Sequence, residues 1–148
     1  MKIIIETPEE GKEDEIVIRC HELDDELMEL ISRLRAGKSQ ITGYKDGTIR
    51  QIMPKEIYYF ESVDNKVFAC CEKEVYEIKE KLYEIEEKYS TFVYQRISKS
   101  VIVNVSQIEY ISPMLGSRLE ARLKNGEKVI ISRQYVPGLK KKLGINER

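Results

Sequence analysis

The chain has 148 residues, 41% of them hydrophobic and 34% charged, and a net charge of −1. This length suits one domain, or one domain with a modest extension, and the composition excludes a disordered chain. No apolar run approaches the ~20 residues of a membrane span, MKIIIETPEE lacks a signal-peptide core, and Cys20, Cys70 and Cys71 have no C-x-x-C spacing, which points to reduced thiols in a cytoplasm.

The chain opens with two β-branched runs, KIIIE (residues 2–6) and EIVIR (15–19), which are predicted strands separated by the acidic loop Thr7 to Asp14. Leu23, Leu27, Leu30, Ile31 and Leu34 then recur at helical spacing through HELDDELMELISRLRAG. Acids fill the first turns of that helix, arginines its last, and Gly37 is the expected stop. Leu27, Ile31 and Leu34 either pack on the chain's own strands or form a partner surface. QITGYKDGTIRQI is a predicted hairpin turning at Asp46-Gly47, a favoured type I′ pair. Met53-Pro54 marks the expected boundary, so that 1–53 forms a small α+β extension and 54–148 a second domain.

Past Pro54 the runs EIYYFES, KVFACC, VYEI, FVYQRI, VIVN, QIEYIS, RLEARLK and KVIIS are β-rich, four to seven residues long, and punctuated by turn pairs such as Asp64-Asn65 and Asn125-Gly126. Short, regularly spaced strands favour a mainly β sandwich or barrel over a parallel α/β sheet. KEKLYEIEEKY interrupts them with Leu82, Ile85 and Tyr89 on one helical face, although Val75 and Ile78 of VYEI fit the same stripe. A short C-terminal helix over YVPGLKKKL can hold Pro137 only in its first turn.

Charge divides unevenly along the chain. Residues 1–53 hold eight Lys/Arg against twelve Asp/Glu, whereas from Tyr89 onward eleven cations face four acids. The basic half suits either a polyanion partner or an ordinary solvated surface. Catalysis has no visible constellation: His21 is the only histidine, and nucleophile-elbow, dinucleotide and phosphate-loop signatures are absent. No metal site and no cofactor are expected, and the acids of EIEEKY fit a solvated helix face.

Two segments place polar residues at strand ends. RISKSVIVN sets Arg96, Ser98, Lys99 and Ser100 ahead of a β-branched strand and Asn104 after it, and VIISRQYVPGL sets Ser132, Arg133 and Gln134 where strand gives way to helix. Arg and Gln suit base edges, and Lys and Ser suit phosphates. Turn and cap chemistry, with Ser132 as an N-cap, accounts for the same residues, and on these residues alone it is the stronger reading.

Read in order, EIYYFESVDNKVFA, VYEIKEKLYEIEEKY, FVYQRISKSVIVNVSQIEYI and LKNGEKVIISRQYVPGLKKKL resemble the LytTR family of bacterial transcription regulators over about Pro54 to Ile145. The most specific element is the F-x-x-(x)-R-I-x-[KR]-S-x-x-V-N core. The resemblance implies an elongated LytTR-type β sandwich with one mid-domain helix and a short C-terminal helix, whose loops enter successive major grooves of double-stranded DNA. By the same resemblance Ser98, Lys99, Ser100, Arg133 and Gln134 face DNA, assisted by Asn65 and Lys66. It further implies promoter repeats as the target and a homodimer at least on DNA. Ser98 stands where many members carry histidine, and SPMLGSR alters a hairpin length near Arg118. Only 53 residues precede the matching part, too few for the phosphoreceiver domain of many relatives, so no aspartyl phosphorylation is expected. The expected function is a sequence-specific DNA-binding transcriptional regulator without catalysis. Its acidic extension would serve self-association or a regulatory protein partner. The competing expectation is a protein-interaction or small-ligand sensing module that keeps the fold without binding DNA.

Overall fold

The structure, a computed structural model, describes residues 1–36, 40–89 and 93–145; Gly37 and Phe92, the expected helix stop and strand start, lie outside the described residues. Helix α1 (Asp25–Ala36) starts where Asp24 accepts the Leu27 N–H on Oδ1 at 2.8 Å, an N-cap that satisfies one orphan donor. Leu27 and Ile31 are half-buried, while Leu34 is exposed. Strands β1 (Ile41–Lys45) and β2 (Thr48–Ile52) form the expected hairpin, with positive φ at both Asp46 and Gly47 as a type I′ turn requires.

The expected series of short strands follows in order: β3 (Ile57–Val63), β4 (Lys66–Cys71), β5 (Val75–Ile78), β6 (Tyr94–Arg96), β7 (Val101–Asn104), β8 (Ile108–Pro113), β9 (Leu119–Leu123) and β10 (Lys128–Ile131). Helix α2 (Leu82–Lys88) separates β5 from β6, and α3 (Val136–Lys142) closes the fold with Pro137 in its first turn. The ambiguity at VYEI resolves as strand, because β5 pairs with β4 along its full length.

Seven strands make one antiparallel sheet in the order β2-β1-β5-β4-β3-β7-β6, and β10-β9-β8 make a second. Alternating side chains divide the apolar residues between two cores. Phe60, Val67, Ala69, Ile78 and Ile102 point to one face, where α2 covers them with Leu82, Ile85 and Tyr89. Val103 points to the other face and joins Ile97, Leu119, Ala121, Leu123 and Ile131 of the small sheet, with Val136 and Leu139 of α3. A bulge between Ile57 and Tyr59 lets β3 feed both cores, sending Ile57 to the first and Tyr58 and Tyr59 to the second.

Two sequence expectations change. KIIIE and EIVIR are not strands: residues 1–24 contain none, and the single backbone hydrogen bond between two of those residues is the turn contact from Lys12 N to Glu9 O at 3.1 Å. That turn would set Lys2 against Arg19 and Glu6 against Glu15, so pairing the two runs opposes like charges. The β1–β2 hairpin, assigned by sequence to the extension, instead forms the edge of the large sheet beside β5 and buries Ile41 and Ile52 in its core. Gly43 permits this contact. A Cβ there would stand 2.6 Å from Ile52 Cδ1 and 2.7 Å from Tyr76 Cβ.

Asn104 is the one fully buried polar side chain among the described residues. Its Nδ2 donates to the Ile57 carbonyl at 2.9 Å, and its Oδ1 accepts from the Ser106 N–H at 3.0 Å and the Ser106 hydroxyl at 2.6 Å. Every one of those partners loses its bond in Asn104→Ala. We expect that variant to lose about 2–4 kcal/mol of stability by urea denaturation, since buried unpaired groups carry their full desolvation penalty.

Burial pushes both the Cys70 and Cys71 thiols up to about 11. In the unfolded chain they ionise lower, so the folded state holds their protons longer. Their contribution to stability is therefore intact below about pH 9 and is lost as pH rises through 11. Iodoacetamide at neutral pH should label exposed Cys20 well ahead of both, as peptide mass spectrometry would report.

Candidate nucleic-acid interface

Three polar turns meet at one end of the large sheet. The first is Asp64-Asn65, where φ of 50° and 64° makes a tight β3–β4 connection, a conformation that Asn and Asp tolerate best. Lys66 follows at the start of β4. The second is the β6–β7 connection, Ser98 to Ser100. The third is Arg133-Gln134, in a 3-10 turn between β10 and α3.

Backbone hydrogen bonds join the three. Ser62, two residues before the first turn, donates its N–H to the Ser100 carbonyl at 2.8 Å, and Ser132 donates its N–H to the Ile97 carbonyl at 2.8 Å. Ile97 itself is buried in the second core, so the middle turn is anchored from below. All three segments are thereby fixed to one another through main chain, without loops long enough to drift.

Arg96 does not offer its charge to solvent, as the sequence suggests. Its Nε donates to the Ser98 carbonyl at 2.7 Å, one terminal nitrogen donates to the Lys99 carbonyl, and the other pairs with Glu86 of α2 at 3.1 Å. The guanidinium fork thus braces the turn from inside. Ser98 is likewise partly engaged: its Oγ accepts the Ser100 N–H at 3.2 Å and lies 3.5 Å from Ser100 Oγ. Ser132 occupies the N-cap position of the 3-10 turn without a side-chain cap bond, and the N-cap of α3 is Tyr135, so neither Ser132 nor Gln134 serves as a side-chain cap.

The remaining candidates stand apart from this internal bonding. Among the described residues, the side chains of Asn65, Lys66, Lys99, Arg133 and Gln134 are exposed and make no hydrogen bond or ion pair. Arg133 also lines an open groove between the β8–β9 turn and α3, together with Arg118 and Lys140. Sequence reasoning left Arg118 without a role. Its Nε donates to the Leu115 carbonyl at 3.0 Å, holding a turn in which Gly116 and Ser117 both have positive φ. Nothing in the local sequence signals that Lys140 and Arg118 flank Arg133, because β9, β10 and the 3-10 turn separate them. No group of three or more His, Cys, Asp or Glu side chains among the described residues could hold a metal ion, and no helix there is long and apolar enough to cross a membrane.

Residues 47–144 match the family model of the LytTr DNA-binding domain. A solved LytTr DNA-binding domain from Bacillus cereus superposes with a TM-score of 0.69 at 29% identity, covering 74% of this chain and all of that one. The sensory transduction protein LytT of Enterococcus faecalis is 30% identical over 95 residues, which are 64% of this chain and 39% of that protein. An HTH-type transcriptional regulator of Staphylococcus aureus, itself uncharacterized, is 29% identical over 139 residues, spanning 91% of this chain and 94% of its own. This last likeness runs through the N-terminal segment as well as the β domain.

The bracing role of Arg96 is testable apart from any ligand. Arg96→Lys keeps the charge but cannot make three forked contacts. Amide hydrogen exchange at Ser98 and Ser100, whose N–H groups are bonded within that turn, should accelerate at least tenfold in that variant, with exchange in the β9–β10 core unchanged.

Proposed function

The chain belongs to the LytTR family of DNA-binding domains, and from that premise we propose that it is a sequence-specific transcription regulator acting on double-stranded DNA in a bacterial cytoplasm. The observation that carries this reading is a part of the face just described: the side chains of Asn65, Lys66, Lys99, Arg133 and Gln134, which have no partner among the described residues, held on main chain that is itself fixed. A surface built this way presents its donors without first having to order them, which lowers the entropic cost of docking.

The three turns divide the work by chemistry. Arg133 is suited to guanine, whose O6 and N7 accept the two parallel donors of a guanidinium. Gln134, which caps no helix, can pair with adenine in the same manner. Lys66 and Asn65, on the outer turn, suit phosphate, and Lys99 projects between the two regions from a turn whose serines steady its backbone. Ser98 and Ser100 act chiefly by shaping that turn and offer hydroxyls to the phosphate chain at its margin. Arg118 and Lys140 extend the cationic groove beside Arg133 and favour a phosphate path along it. Turns at a strand end, not a helix, make the approach, and those of one protomer enter successive major grooves. Two protomers on a repeated site would bind paired motifs spaced by about one helical turn.

The test starts from duplexes retained by the protein out of a random pool. On the selected duplex Arg133→Ala should weaken binding by about 1–3 kcal/mol and relax preference at one base position. Lys66→Ala should weaken selected and scrambled duplexes alike, and lower the slope of log K against log salt by about one. If both variants stay folded and keep parental affinity, preference and salt slope, this face does not bind DNA.

A further inference from the structure

The N-terminal segment carries apolar and backbone groups that the chain does not satisfy. Ile3, Ile4 and Ile5 are 81%, 65% and 91% exposed, and residues 2–6 make no backbone hydrogen bond among the described residues. An extended, β-branched run with open main-chain donors and acceptors is a template for a further strand. The obvious partner within the chain is the run 15–19, which the turn at Glu9–Lys12 brings back alongside; Lys2, Ile4 and Glu6 line one cleft with Glu15, Val17 and Arg19. Yet the register set by that turn opposes Lys2 to Arg19 and Glu6 to Glu15, and the two runs stay unbonded.

We propose that residues 2–6 pair antiparallel with the same residues of a second copy of this chain, centred on Ile4, and that this arm makes the protein a homodimer. The charge pattern is what selects this occupant. In KIIIE the cation and the acid sit symmetrically about Ile4. Across a two-fold axis, Lys2 of each copy therefore meets Glu6 of the other, giving two opposite-charge pairs where the intrachain register gives two like-charge pairs. Ile4 meets Ile4, and the isoleucines either side of it, now exposed, lie against their counterparts on the opposite face of the ribbon. The same symmetry holds in EIVIR, where Glu15 and Arg19 flank Val17. The arm lies in the acidic part of the sequence and includes none of the polar turns proposed for DNA.

The test uses the full chain in two charge variants, K2E and E6K, measured by sedimentation equilibrium separately and mixed. The parent should dimerise, with affinity falling as salt rises. K2E opposes glutamates across the axis and E6K opposes lysines, so each alone should dimerise about tenfold or more weakly than the parent. A 1:1 mixture should regain parental affinity, because the two variants complement one another. A monomeric parent, variants that self-associate as the parent does, or a mixture no tighter than its components would each overturn the proposal. DNA binding by Arg133 and Lys66 is measured separately, so failure here leaves the DNA reading standing and the reverse also holds.

Discussion

Two main-chain hydrogen bonds, Ser62 N to Ser100 O and Ser132 N to Ile97 O, set the arrangement on which the proposed function depends. The first stitches the β3–β4 turn to the β6–β7 turn, and the second stitches the β6–β7 turn to the segment leading into α3. Three pieces of chain that lie far apart in sequence become one rigid edge. Ile97, fully buried between the two bonds, ties that edge to the second core. A slip in the strand register of β3 against β7 would move Ser62 away from Ser100 and turn Ile102 and Val103 onto the wrong faces, so the core and the polar edge specify one another.

The polar residues around that edge fall into two physical groups. Arg96, Ser98 and Asn104 spend their hydrogen bonds within the protein, on backbone carbonyls and amides, and Glu86 accepts from the Arg96 guanidinium. Lys66, Lys99, Arg133 and Gln134 have no such partner among the described residues and carry the forked or long side chains that nucleic acid contacts require. Sequence alone cannot separate these groups, since Arg96 and Arg133 look alike in a string. The difference lies in what folding brings near each of them. Glu86 reaches Arg96 from a helix, whereas no acid pairs with Arg133 among the described residues.

Much of the β domain was legible because its strands are short, β-branched and set off by strong turn pairs, so period-two patterning and turn chemistry agreed. Helix α1 was equally clear from its leucine spacing and its acidic first turns. The N-terminal runs failed for a specific reason: KIIIE and EIVIR have strand propensity, yet propensity says nothing about whether a compatible neighbour exists, and their charges oppose one another in the register available. The β1–β2 hairpin was recognised as a hairpin but placed in the extension. Only Gly43, whose missing side chain admits Ile52 and Tyr76, hinted that this hairpin packs against the main sheet. The braced state of Arg96 was illegible, because Glu86 looked like one more acid on a solvated helix.

The proposed function requires DNA to meet the edge formed by the three stitched turns. Titrating isotope-labelled protein with a selected duplex and following backbone amide shifts addresses it most directly. The largest changes should fall on Asn65 and Lys66, on Lys99 and Ser100, and on Arg133 and Gln134, with the β1–β2 hairpin and residues 2–6 little affected. Largest changes on the β1–β2 edge or on α1, with the three turns unmoved, would contradict it.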